Sequence, residues 1–214
     1  MENQTDSADK PWISATFAAL AAYFVSIGIA RFAYSPLIPA LIKEEWFSAS
    51  DATYLGAANL AGYLIGAISG KWIGNRIAHH HLLGLVMLIV SASLFASMFP
   101  VSFMWYFVWR LVSGYCGGVV MVLAATLILP RVPSHRLGLA SGLMFTGVGS
   151  GIALSGLLVP FLVEIGLTET WIILGAISLV LTVIVYPFWP RDVQSQTVPS
   201  TVQISMINHA FTLP

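Results

Sequence analysis

Charge is what this sequence has least of. Nine Lys and Arg and nine Asp and Glu make up 8% of its 214 residues, where a soluble domain carries about 25%. So few ions cannot cover a surface that faces water. The formal net charge is zero, which excludes the basic face a nucleic-acid binder needs. A single cysteine, Cys116, excludes a disulfide framework and any thiolate metal cluster. Disorder is excluded too: 57% of the residues are hydrophobic and the mean hydropathy is +0.85, far from the polar composition of unfolded chains. Acid is absent from the interior of every apolar stretch. Glu2, Asp6, Asp9, Glu44, Glu45, Asp51, Glu164, Glu169 and Asp192 all lie outside those stretches or at their ends.

Long uncharged runs are what the sequence does have. They cover 12–30, 52–70, 82–109, 111–130, 137–163 and 170–190, and a spanning helix needs about 20 apolar residues. Pro100 divides the third run, whose tail joins the fourth across Arg110, and the first run continues across Arg31. Six transmembrane helices are therefore expected near 12–42, 52–74, 82–99, 102–129, 137–163 and 169–189. They form one domain, 12–190, between an N-terminal segment 1–11 and a polar tail 191–214. Helices are the economical reading, because lipid leaves no backbone group to be satisfied by water. The two-residue alternation of a transmembrane barrel is missing. The expectation is an all-α membrane protein with the lipid bilayer as its main partner.

The basic residues orient it. Lys10, Lys71, Arg76, Arg131, Arg136 and Arg191 fall at the N-terminus, in the 2–3 and 4–5 loops and after the last helix, whereas only Lys43 falls in a loop on the other side. By the positive-inside rule both termini are expected in the cytoplasm. Glu2, Asp6 and Asp9 ahead of Lys10 are unlike the basic leader of a cleaved signal peptide.

The six helices read as a repeat of three types. Helices one and four each carry an arginine, Arg31 and Arg110. Helices two and five are ridged with small residues, Ala58, Gly62, Gly66 and Gly70 in one and Gly147, Gly151 and Ser155 in the other. Helices three and six are mainly aliphatic and aromatic. A three-plus-three inverted repeat is how one half of many secondary transporters is built.

Three stretches carry a resemblance. GIARFAYSPLIPAL at 28–41 and AANLAGYLIG at 57–66 resemble the first two helices of the YbfB/YjiJ branch of the bacterial major facilitator superfamily. Arg110 with Gly114, Gly117 and Gly118 is similar to the superfamily's arginine-glycine motif in helix four, and GVGSG at 147–151 to its glycine-rich motif in helix five. Val148 stands where that motif has proline, and the 2–3 loop, GKWIGNRIAHHH at 70–81, lacks the superfamily's aspartate. The resemblance covers roughly 12–190 and implies the N-terminal six-helix half of a major facilitator fold in the bacterial inner (plasma) membrane. It implies transport by alternating access, with helices one and four lining the cavity. The second half would come from a missing C-terminal segment, a separate chain or a homodimer.

Arg31 and Arg110 are the sharpest candidates. A charge at bilayer depth costs about 2.5–3.5 kcal/mol on insertion scales and is normally given a role. At 100° per residue, Tyr23, Ile27, Arg31 and Tyr34 share one quadrant of the first helix, a face suited to a polar cavity. One reading is that both guanidiniums attract an anionic small molecule, since their fork matches carboxylate or phosphate. The other is that each binds helix carbonyls or an acid from the absent half and holds packing. Asn59 and Tyr63 stand one turn apart on the second helix and bind either substrate or a neighbouring helix. Gly62, Gly66, Gly70, Gly114, Gly118, Gly147 and Gly151 are expected at helix-packing or gating contacts.

His79, His80 and His81 have no Cys, Asp or Glu beside them and read as a solvated loop rather than a metal site. Trp12, Trp46, Trp105, Trp171 and Trp189 fall near span ends and read as an aromatic belt. No histidine, acid or lysine lies in the interior of the spans, so the constellation of an intramembrane enzyme is absent; no catalysis, cofactor or metal is expected. Transport of a small molecule is the leading function, with a non-transporting truncated membrane protein or partner subunit as the alternative. Any carboxylate for proton coupling would have to come from outside this half.

Overall fold

The structure is a computed structural model that describes residues 10–191. Most of the N-terminal segment and the polar tail beyond Arg191 lie outside the described residues. The described chain is helical from end to end, without a strand. Six long helices account for it: α1 over Trp12–Lys43, α2 over Ala49–Gly74, α3 over His79–Ala96, α4 over Phe103–Ile128, α5 over Leu137–Ile165 and α6 over Leu167–Val185. Five of these are long and apolar enough to cross a membrane by length and composition. The other, α2, has 26 residues but is diluted by Asn59, two tyrosines, several glycines and Lys71.

Short signals set the ends. Ser48 caps α2 in a capping box: its hydroxyl accepts from the Asp51 amide at 3.1 Å while the Asp51 carboxylate accepts from the Ser48 amide at 3.3 Å. Ser102 caps α4 by accepting from the Trp105 amide at 3.2 Å. Gly166 alone separates α5 from α6, with φ of +154°, a conformation open to glycine and strained for other residues.

The packing follows the repeat. Helix α1 packs on α5, and α4 packs on α2; α3 meets α4, and α6 meets α1; α3 and α6 meet each other. Exchanging helices 1–3 for 4–6 maps every one of these pairs onto another or onto itself. Each arginine-bearing helix is thus received by a small-residue helix of the opposite repeat. The apolar positions left outside, among them Leu64, Ile68, Leu157, Phe161 and Val183, are more than half exposed, the distribution expected of a bundle whose solvent is hydrocarbon.

Three expectations change here. The three histidines are not a loop: they open α3, with His80 and His81 stacked at 3.9 Å between ring centroids and His81 Nδ1 3.2 Å from the Tyr186 hydroxyl. The ring contact with the end of α6 lets the helix begin ahead of the apolar run. The tryptophans are not one belt: Trp171 is 1% exposed, and Trp12 and Trp189 are buried with it in the bundle. Trp171 packs edge-on against Tyr106, where a large ring fills the end of the core. Helix α1, finally, is not uniform. Phe24–Ile29 forms a π-helical turn within it, followed by α-helix at Ala30–Phe32 and Tyr34–Lys43.

Candidate functional site

A π turn lies within the face of α1 expected to hold Tyr23, Ile27, Arg31 and Tyr34. Its i→i+5 bonds fit an extra residue into the helix, and the four side chains differ in burial. Tyr23, Ile27 and Tyr34 are buried, and Arg31 alone is partly exposed. The Tyr23 hydroxyl donates to the Met121 carbonyl of α4 at 2.9 Å, and its ring meets Phe145 of α5 edge-on. The Tyr34 hydroxyl donates to the Ala52 carbonyl of α2 at 3.0 Å. These two tyrosines fasten α1 to its neighbours.

The two arginines differ in the same way. Arg110 is 3% exposed. Its Nη1 donates to the Ala30 carbonyl of α1 at 2.8 Å, and the guanidinium carbon lies 4.3 Å from the centre of the Tyr34 ring. Its Nε has no hydrogen-bond partner among the described residues. Asn59 of α2 donates Nδ2 to the Arg110 backbone carbonyl at 3.0 Å, so Arg110 is tied to α1 by its side chain and to α2 by its main chain. Arg31 is next in sequence to the residue that Arg110 grips, and it is half-buried. Its guanidinium carbon lies 4.9 Å from the Tyr63 ring centre and 5.4 Å from that of Phe32. A cation over an aromatic face gains about 0.5–2 kcal/mol, more where water is excluded.

Glycine makes this closeness attainable. A Cβ at Gly62 would strike the Leu111 carbonyl, one at Gly66 the Tyr115 carbonyl, one at Gly114 the Asn59 carbonyl and one at Gly118 the Tyr63 carbonyl. Helices α2 and α4 therefore touch backbone to backbone, which places Asn59 on Arg110 and Tyr63 beside α1. On the other side Gly147 receives Leu20, and Gly151 lies against Gly28. Gly70 is in ordinary contact with Val119, at 3.4 Å. Missed in the sequence were Phe145 and Phe32, which wall the site, and Tyr115, whose hydroxyl accepts from Ser69 at 3.2 Å. Their only signal was aromatic character within apolar runs.

The model of the family described as "Uncharacterised MFS-type transporter YbfB" matches residues 23–212. This chain belongs to that family. No curated protein matches the sequence. Among solved structures, a crystal structure of a D-xylose–proton symporter is similar, with a TM-score of 0.72 and 18% sequence identity over 92% of this chain and 53% of the symporter. The shared property at that identity is the fold, a multi-pass helical membrane bundle of the major facilitator kind. This YbfB-type chain spans about half the length of the symporter it matches.

Within the YbfB-type fold, the end of α2 without an aspartate carries a different pair. Arg76 stacks its guanidinium 3.9 Å from the centre of the Trp72 ring, and Trp72 is 60% exposed. An indole and an arginine together at a helix end suit the membrane–water boundary.

Proposed function

We propose that this chain forms one half of a secondary transporter that moves a small anionic molecule by alternating access, with Arg31 and Tyr63 at the point of substrate contact. The supporting observation is the partly exposed Arg31 guanidinium, held over an aromatic ring among helices whose described carboxylates, Asp51, Glu164 and Glu169, stand only in their terminal turns. An incoming carboxylate or phosphate would complete that charge with two parallel hydrogen bonds. Arg110, buried and bonded to Ala30, acts behind it as a positioning charge, and Tyr23, Tyr34 and Asn59 hold the frame. The glycine seams between α2 and α4 and between α5 and α1 offer flat backbone surfaces for rocking or gating.

Six helices enclose one side of a cavity, so transport requires a second half from a C-terminal segment, a separate chain or a second copy. The expected location is the bacterial inner membrane with both termini cytoplasmic, on the strength of the six basic residues gathered on that side. The alternative reading is a non-transporting membrane subunit.

The test is uptake into proteoliposomes by this chain with and without a complementary six-helix half. Anion flux that needs both halves and falls about tenfold in Arg31→Gln, a loss of about 1.4 kcal/mol, supports the proposal. Flux unchanged by that substitution removes Arg31 from substrate contact, and no flux with any second half favours the non-transporting reading.

A further inference from the structure

Two grooves meet at the basic end of the bundle, away from Arg31 and Arg110. One, of about 470 Å³, is lined by Trp12, Ser14, Arg131, Phe188 and Arg191 together with two prolines. The other, of about 430 Å³, lies between α1 and α6 and is walled by Ile13, Phe17, Ala18, Ile184 and Val185. Ser14 and Phe188 line both. A region bearing two positive charges therefore opens directly into an apolar furrow that follows the helices.

Topology gathers the two arginines. Helices α4 and α6 run to the same end of the bundle, where α1 begins, so Arg131 just after α4 and Arg191 just after α6 arrive beside Trp12. Arg131 donates Nη1 to the Leu127 carbonyl, which leaves most of its five N–H donors for a ligand. Among the described residues neither guanidinium meets a carboxylate. The described acids stand at the opposite end, Glu44 and Glu45 in the connection after α1 and Asp51, Glu164 and Glu169 in the terminal turns of α2, α5 and α6.

We propose that Arg131 and Arg191 hold the phosphate of an anionic phospholipid whose acyl chain lies in the groove between α1 and α6. A guanidinium pair supplies forked donors for phosphate oxygens, and basic pockets between helices at the membrane boundary are a recurrent form of headgroup recognition. The contiguous apolar furrow selects lipid over free phosphate, because inorganic phosphate has nothing to place there. The site is independent of substrate transport, so its failure would leave the Arg31 reading untouched.

The experiment is native mass spectrometry of the purified full chain with phosphatidylglycerol or phosphatidylcholine of equal chain length. Phosphatidylglycerol is expected to be retained about tenfold better, with the preference abolished in Arg131→Gln/Arg191→Gln at an unchanged helical circular dichroism signal. Arg191→Gln alone breaks no side-chain bond among the described residues and is expected to lose part of the preference even where the double variant folds poorly. Phe17→Ser, on the furrow wall, is expected to weaken long-chain lipid more than short-chain lipid. Equal retention of the two lipids, or a preference that survives loss of both arginines, overturns the assignment. Displacement of the lipid by millimolar inorganic phosphate overturns it in favour of a free-anion site.

Discussion

Arg110 of α4 donates to the carbonyl of Ala30 in α1 at 2.8 Å, directly behind the backbone of Arg31. The bond joins two helices of opposite repeats at their most polar point, yet among the described residues it is the one side-chain hydrogen bond of a buried charge. A buried ion of this kind contributes little net stability, because desolvation offsets what the contacts return. Replacing Arg110 with methionine, similar in length and apolar, is therefore expected to leave the unfolding midpoint in detergent unchanged or raised. Arg110→Ala, which opens a cavity among α1, α2 and α4, is expected to cost about 2–4 kcal/mol. A loss in Arg110→Met as large as that in Arg110→Ala would show that the charge itself holds the helices.

The glycine seam gives a contrast within one residue type. At Gly66 and Gly114 a methyl group meets backbone of the facing helix, whereas at Gly149 it meets nothing within 4 Å. Gly66→Ala and Gly114→Ala must push α2 and α4 apart, and a loss of about 2 kcal/mol or more is expected, at the upper end of overpacking costs. Gly149→Ala is expected to be neutral or to stabilise by about 0.4–1 kcal/mol, through reduced freedom of the unfolded chain. Thermal melting of the three variants in one detergent reads the difference.

The six helices were legible because lipid leaves charge-free runs in the sequence, and Arg31 and Arg110 stood out because nothing else charged interrupts those runs. The difference between the two arginines was not legible. It arises from groups distant in sequence: the Ala30 carbonyl and the Tyr34 ring on Arg110, and the Tyr63 ring on Arg31. The π turn at Phe24–Ile29 was equally hidden, since FVSIGI contains no proline and reads as an ordinary apolar segment. The histidines misled in the opposite way: their polarity suggests a loop, while stacking and the Tyr186 contact make them the start of α3.

Tryptophan fluorescence separates the indoles that anchor from those that pack. Trp72 is 60% exposed beside Arg76, and Trp171 is 1% exposed against Tyr106. In single-tryptophan variants reconstituted into bilayers, emission from Trp72 is expected to be quenched by a water-soluble quencher and by headgroup-labelled lipid. Trp171 is expected to resist both. Strong quenching of Trp171 would mean that the end of the core between α4 and α6 is open in the membrane.

The stacking of Arg31 on Tyr63 gives the site its most specific requirement, an aromatic face rather than a hydroxyl. The ring quadrupole attracts the guanidinium, and the same stacking holds the fork in one plane for an incoming anion. Tyr63→Phe keeps the face and is expected to retain anion uptake by the assembled transporter to within about twofold. Tyr63→Leu keeps the bulk and removes the face, and a fall of about fivefold is expected, corresponding to roughly 1 kcal/mol. Equal losses in the two variants would assign the role to the hydroxyl. Equal retention in both would mean that Arg31 is held in place by α1 alone.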